Sequence, residues 1–132
     1  LTRDDIVDLY ANRVIVEEAA LRTLAEDGVV PVAAIAAQRM LAEAASDAST
    51  ADRSGPLARA DIAFHRALVE AQRSPRLARL HALLMGEIEL CTGQVQAHRL
   101  LALDDVVAQH QGILDAVAAG DPERAGTLTR AH

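Results

Sequence analysis

Four residues of this chain have the types and the spacing of a divalent metal site. Asp61 and His65 are four residues apart in an apolar helical pattern, so the carboxylate and the imidazole share one helix face. His110 and His132 each fall on the apolar stripe of a later helical pattern. Three imidazoles and one carboxylate suit a first-row divalent ion, because the carboxylate offsets part of its charge. We predict one metal ion, with zinc as first choice and nickel or manganese as alternatives.

The same four residues have a second interpretation, which is a buried hydrogen-bond network without metal. A buried polar group that lacks a partner costs roughly 2 to 7 kcal/mol on transfer from water, so each of the four must find one. A lone histidine on an apolar helix face is usually a hydrogen-bonded core residue. Convergence of four such residues from three helices favours the metal site over the network.

Arg13 is a charged residue on the predicted core stripe of the first helix. Glu17 follows one helical turn later, which favours an internal ion pair between the two side chains. A guanidinium can also hold a small carboxylate through two parallel hydrogen bonds. Arg13 is therefore also our candidate contact for an anionic ligand at an open position of the metal.

Composition indicates the kind of domain that positions these residues. The chain has 132 residues, enough for one domain, and 51% of them are hydrophobic although only 2% are aromatic. An interior filled by Ala, Leu and Val favours close-packed helices. The single cysteine, Cys91, excludes an internal disulfide and a cysteine-rich zinc module. A net charge of −6 disfavours direct binding of DNA by this chain.

Apolar periodicity predicts an all-α antiparallel bundle of about six helices with the metal site at its centre. No apolar run approaches the roughly 20 residues of a membrane-spanning helix, and no export signal is present, so we expect a cytoplasmic protein without membrane contact. We assign no chemistry to the second helix and expect His81 and His98 to be surface or hydrogen-bonded histidines. The predicted helices span residues 4–26, 31–48, 56–73, 75–98, 104–120 and 122–132.

Apolar periodicity also predicts which side chains of the second and fourth helices face the core. The second helix is expected to bury Ile35, Ala36, Met40 and Leu41. The buried face expected for the fourth helix comprises Leu77, Leu80, Leu84, Ile88, Cys91 and Val95. Val7, Val14 and Leu21 of the first helix are expected to form part of an apolar face left over for dimerisation.

Three motifs described below, together with Ala71-Gln-Arg-Ser-Pro75, resemble the FCD domain, the C-terminal effector-binding and dimerisation domain of FadR-type regulators in the GntR family of bacterial transcription factors. The resemblance covers nearly the whole chain. The first motif is Tyr10-Ala-Asn-Arg13-Val-Ile-Val-Glu17, and the second is Asp61-Ile-Ala-Phe-His65-Arg-Ala-Leu68. The third runs from His110 to Ala125 and is followed by Arg130-Ala-His132.

This resemblance implies a function for residues 1–132 as a single sensing domain. It implies that Asp61, His65, His110 and His132 bind a divalent ion and that a small organic acid binds at or near this ion, with Arg13 close by. It also implies a homodimer, and DNA binding only through an N-terminal winged-helix domain that is absent from this chain. The chain has Gln109 and Ser74 where the family commonly has glutamate and asparagine, and we expect neither to contact the proposed ligands.

An alternative function is that of a small helical metalloenzyme, in which the metal activates a bound water or dioxygen. Glu17 is the one candidate general base, but it can equally neutralise Arg13, and no nucleophile constellation such as Ser-His-Asp is visible. We therefore prefer a sensor domain to an enzyme.

Overall fold

The computed structural model describes residues 2–46, 54–90 and 103–132, and these residues form six helices and no strand. The predicted all-α class is therefore confirmed. The second helix was predicted to end at Ala48 and the fourth at His98, and both positions lie outside the described residues. Cys91 and Val95 also lie outside them. The helices are α1 (Arg3–Asp27), α2 (Val32–Ser46), α3 (Ser54–Ala71), α4 (Pro75–Leu90), α5 (Leu103–Ala118) and α6 (Pro122–Ala131).

Local sequence signals determine where the first and last helices begin and end. Thr2 caps α1 in a reciprocal arrangement with Asp5, which satisfies backbone N–H groups at that end. Gly28 closes α1 with a φ of 67°, a left-handed conformation that glycine adopts without strain. Asp121 caps α6 and Pro122 occupies its first turn. These ends agree with the predicted ones within one or two residues.

The main apolar core joins α1, α2, α3, α5 and α6. Phe64, the only phenylalanine of the chain, is fully buried at its centre. Around it lie mostly alanine, leucine and valine side chains, which allow the helices to pack closely. α1 packs against α3, α4, α5 and α6, and α2 packs against α3 and α5. This arrangement brings α1, α3, α5 and the end of α6 to one buried region, where the polar residues collect.

The inward face of α2 differs from the predicted one. Ile35 is 40% exposed and Met40 59% exposed, and Ala36 is exposed as well, so only Leu41 of the predicted set is buried. Small side chains face inwards instead and let α2 approach its neighbours closely. The buried positions of α2 are Ala34, Ala37, Gln38 and Leu41.

The inward faces of α4 and α1 also need correction at single positions. Leu80 is exposed, and the neighbouring His81 is buried together with Met85 and Ile88. Leu21 is buried in the main core, so it does not belong to a left-over apolar face, whereas Val7 is exposed as expected. On α4 His81 thus takes the inward position expected for Leu80, while Ile88 is buried as expected.

The length and hydropathy of the described helices bear on whether any of them could cross a bilayer. Taken singly, none of these helices is both long and apolar enough to span a membrane. The pair α1 and α2 reaches that threshold only when its two members are taken together, and it is bent by 118° at its junction.

Candidate metal centre

The four residues predicted to bind a metal lie together in the structure. Asp61 and His65 come from successive turns of α3, His110 from the middle of α5, and His132 from the C-terminal cap of α6. One ligand atom from each lies within 4.8 Å of every other. Asp61, His65 and His110 are buried and His132 is half-buried. The group can therefore hold a metal ion.

The separations between the four donor atoms are similar to those between ligand atoms bound to one metal ion. Nε2 of His132 lies 3.2 Å from Nε2 of His110 and 3.3 Å from Nε2 of His65. Oδ1 of Asp61 lies 3.1 Å from Nε2 of His110 and 3.4 Å from Nε2 of His65. Nitrogen ligands about 2.0 to 2.1 Å from a tetrahedral zinc ion are separated by about 3.3 to 3.4 Å. The donor set and its spacing thus fit a divalent ion.

Each of the three imidazole rings has an oxygen acceptor at its other nitrogen, Nδ1. The carboxylate Oε1 of Glu17 lies 2.8 Å from Nδ1 of His65. The amide Oε1 of Gln38 lies 3.2 Å from Nδ1 of His110, and the amide Oε1 of Gln109 lies 2.6 Å from Nδ1 of His132. An oxygen acceptor favours the tautomer that carries its proton on Nδ1.

The orientation of Gln38 supports this assignment of protons. Its Nε2 donates a hydrogen bond of 2.8 Å to the backbone carbonyl of Val107, so its Oε1 is the atom that faces His110. An amide oxygen can only accept, so the His110 ring donates through Nδ1, and in the neutral ring this leaves the lone pair on Nε2. In this tautomer, which is the one that binds a metal, the three Nε2 atoms and the Asp61 carboxylate are directed at a single point, an arrangement that a bound cation stabilises.

Glu17 is the residue through which α1 reaches the site. It is buried, and its Oε2 accepts hydrogen bonds from Arg13 Nε and contacts His81 Nε2, both at 2.8 Å. Burial alone would raise the pKa of Glu17, but His65 and Arg13 hold that pKa well below its usual range. Glu17 is therefore ionised at neutral pH and acts as an acceptor.

Arg13 lies where the sequence placed it, inside the domain and paired with Glu17. Burial alone would lower the pKa of the Arg13 guanidinium, but the carboxylates of Glu17 and Asp61 raise it above its usual range. The Cζ atom of Arg13 also lies 5.3 Å from the ring centre of Tyr10. The predicted internal ion pair is present, and Glu17 connects the guanidinium to His65, one of the candidate ligands.

Phe64 supports the site from the core side. Its ring stacks on the His110 ring with a centroid distance of 3.9 Å and an angle of 6° between the planes. It also meets the His65 ring edge to face, at 5.3 Å and 88°. The aromatic ring between Asp61 and His65 in the sequence thus limits the rotation of two metal-ligand candidates.

Contacts between α1 and α6 determine where His132 lies. Glu18 accepts hydrogen bonds from Arg22 at 3.0 Å and from Arg130 at 2.7 Å, and thereby joins the two helices. The backbone N–H of His132 donates to the carbonyl of Leu128, which continues the helical pattern to the ligand. His132 is thus held by its own helix, by Gln109 and by its neighbours in the site.

Two contributors to the site, Gln38 and Gln109, were missed or misjudged from the sequence. Gln38 lies on the second helix, to which no chemistry was assigned, and its amide nevertheless holds His110. Gln109 was expected not to contact a proposed ligand, and this expectation is wrong because it contacts His132. His81 is a hydrogen-bonded buried histidine, one of the two outcomes expected for it. Two sequence features could have indicated these contacts: Gln109 is next to the predicted ligand His110, and Gln38 lies on a helix face rich in alanine.

The sequence was also compared with known proteins and protein families. The family model described as the FCD domain matches residues 8–132, which is nearly the whole chain. A search among curated proteins found no significant match.

Proposed function

The chain belongs to the FCD domain family, and from this premise we propose that it is the metal-dependent effector-binding domain of a GntR-type transcriptional regulator and that it senses a small organic acid. FCD domains are generally the effector-binding domains of regulators and are not catalytic domains. With a net charge of −6, this domain would leave DNA binding to a separate winged-helix domain of the regulator.

Convergence of four donor atoms is the observation that carries the metal-binding part of this proposal. Oδ1 of Asp61 and the Nε2 atoms of His65, His110 and His132 would hold the ion. Imidazole and carboxylate ligands suit zinc, and nickel or manganese are the alternatives that we propose. A bound divalent ion would supply positive charge inside the domain and a coordination position for a carboxylate.

Arg13 is the residue that we propose for the second contact of the effector. Its guanidinium is charged and buried, and within the described residues its one hydrogen bond is from Nε to Glu17. The two terminal nitrogens of such a group match the two oxygens of a carboxylate. A small organic acid bridging the metal and Arg13 would place its negative charge between two positive groups.

The position of Glu17 argues against the metalloenzyme alternative. A general base must reach the water that the metal activates. Glu17 instead lies behind His65, on the ring nitrogen that faces away from the other ligands, and its second oxygen is shared by Arg13 and His81. Its role is therefore to hold a ligand, which fits a binding domain better than a hydrolytic centre.

Sensing of an organic acid is tested by thermal unfolding of the zinc-loaded and metal-free domain with a panel of small carboxylates. A ligand present at 100 times its Kd stabilises the folded state by about 2.7 kcal/mol, which raises the Tm of a domain of this size by roughly 10 °C. We expect such a rise only with zinc, and its loss in Arg13→Met. The matched control Arg59→Met changes an exposed arginine on α3 and should respond as the unmodified protein does.

Two outcomes of this experiment would contradict the proposed function. If no carboxylate in the panel stabilises the zinc-loaded protein, organic-acid sensing is wrong. If a carboxylate is converted to product by the metal-loaded protein, the metalloenzyme alternative replaces it.

We also propose that the domain forms a homodimer through the outer faces of α1 and α4. Leu80, Leu83 and Leu90 recur along one side of α4 and are exposed, Leu83 by 70%. Val7 and Ile15 are exposed on α1, which packs against α4. Exposed apolar side chains at helical spacing are typical of a face that another helix covers.

Dimerisation is tested by sedimentation of a Leu83→Glu variant. A charge placed in an apolar interface is costly to bury, so we expect the dimer at micromolar concentration to become a monomer. Met40→Glu is the control, because Met40 is a similarly exposed apolar residue on α2. A monomer for the unmodified protein, or dissociation by Met40→Glu alone, would show that the proposed interface is wrong.

A further inference from the structure

We infer that Glu17 is the positioning residue of the metal centre: its carboxylate fixes the His65 ring with Nε2 towards the ion and strengthens that nitrogen as a ligand. This inference rests on the proposed metal site. It assigns to α1, which carries none of the four ligands, the function of setting the affinity of the site.

The two carboxylate oxygens of Glu17 have different partners. Oε1 lies 2.8 Å from Nδ1 of His65 and interacts with a metal-ligand candidate. Oε2 accepts from Arg13 and contacts His81, neither of which is among the four ligand candidates. One side of the carboxylate thus holds the ligand, while the other side is held by α1 and α4. The ring of His65 is thereby fixed to two helices besides its own.

Glu17 also differs in charge from the acceptors behind the other two rings. The rings of His110 and His132 contact the neutral amide oxygens of Gln38 and Gln109. A carboxylate that accepts from Nδ1–H makes the opposite nitrogen of the ring a stronger donor to a metal, more so than a neutral amide does. Among the three rings, His65 should therefore show the largest loss of metal-donor strength when its acceptor is removed.

Stability of the fold alone does not account for burying this group. Placing a carboxylate, a guanidinium and a histidine together in the core is costly, and apolar side chains of similar volume often serve stability as well or better. The buried cluster of Arg13, Glu17 and His81 nevertheless occupies the space between α1, α3 and α4. Its ordered contacts converge on one ring nitrogen of His65, which is the arrangement that a positioning role requires.

The first test is the zinc affinity of two folded variants, measured by competition with a chelator. Glu17→Gln keeps an acceptor oxygen but removes the negative charge, and we expect its affinity to fall by roughly 10-fold. Arg13→Met/Glu17→Leu removes the acceptor and the buried charge partner together, so no uncompensated arginine remains, and we expect a fall of up to about 100-fold. Arg13→Met alone measures the share of that loss due to the arginine.

Glu26→Ala is the matched control for these variants. It removes an exposed glutamate from the same helix, and its zinc affinity should equal that of the unmodified protein. Circular dichroism checks that each variant is folded. Zinc affinity within twofold of the unmodified protein in both Glu17 variants would overturn the inference.

The second test uses nitrogen NMR of the histidine rings in the metal-free protein, and it does not depend on metal binding. We expect the proton of His65 on Nδ1 in the unmodified protein, and a shift towards Nε2 in the double variant, where no acceptor faces Nδ1. A proton on Nε2 of His65 in the unmodified protein would overturn the positioning role. If the protein binds no zinc but His65 carries its proton on Nδ1, the proposed metal site fails while the role of Glu17 in orienting this ring stands.

Discussion

Replacing His110 by alanine is expected to abolish stoichiometric metal binding. The unmodified domain should contain about one first-row divalent metal per chain, because four donor atoms lie within 4.8 Å of one another. Structural zinc sites contribute roughly 10 to 16 kcal/mol of apparent binding free energy at neutral pH, so losing one of four ligands lowers affinity on the order of 100-fold or more. Elemental mass spectrometry of the purified proteins measures this result, with Asp61→Ala/His110→Ala as the fully disabled variant.

Controls separate the loss of a ligand from damage to the core, since His110 is fully buried. His110→Phe keeps an aromatic ring against Phe64 but has no ligand nitrogen, so it should also contain no metal. Gln111→Ala changes the neighbouring exposed residue and should keep the metal. Absence of metal from the unmodified protein, even after zinc is supplied, would leave the four residues as a buried hydrogen-bond network.

The candidate metal ligands could be predicted from the sequence because residue type and helical periodicity both point to them. Asp61 and His65 have the spacing of one helical turn, and His110 lies in a regular apolar stripe, so residue type and periodicity coincide. Thr2 and Gly28 likewise mark the two ends of α1, and Asp121 with Pro122 marks the start of α6. These features are local, and local physical chemistry is what a single sequence records best.

The acceptors behind the rings could not be predicted in the same way. Gln38 is 72 residues from His110 and became its partner only because α2 turns its alanine face inwards. Glu17 and His81 are 64 residues apart, and their contact depends on how α1 packs on α4. The ion pair of Arg13 with Glu17 was visible because it lies within one helix. Interactions between helices depend on the rotation of each helix, which periodicity leaves uncertain by one residue.

The second large effect is expected from Phe64→Ala, which removes the ring that packs against His65 and His110, two of the candidate metal ligands. Phe64 is fully buried in the main core and stacks at 3.9 Å on His110. Truncation of a buried phenylalanine to alanine costs about 3 to 5 kcal/mol, a large share of the 5 to 15 kcal/mol typical of a domain. Denaturant unfolding of the metal-free protein measures this loss. Zinc affinity should fall as well, because the cavity frees the His110 ring to rotate.

A conservative variant distinguishes the two effects of this ring. Phe64→Leu fills most of the space, so it should cost less stability than alanine, but it gives the His110 ring no flat surface to stack on. We therefore expect Phe64→Leu to lose little stability but to show a clear loss of zinc affinity. If Phe64→Leu and Phe64→Ala both bind zinc as the unmodified protein does, the hydrogen bond to Gln38 alone orients His110. The aromatic ring between Asp61 and His65 would then serve the core and not the metal site.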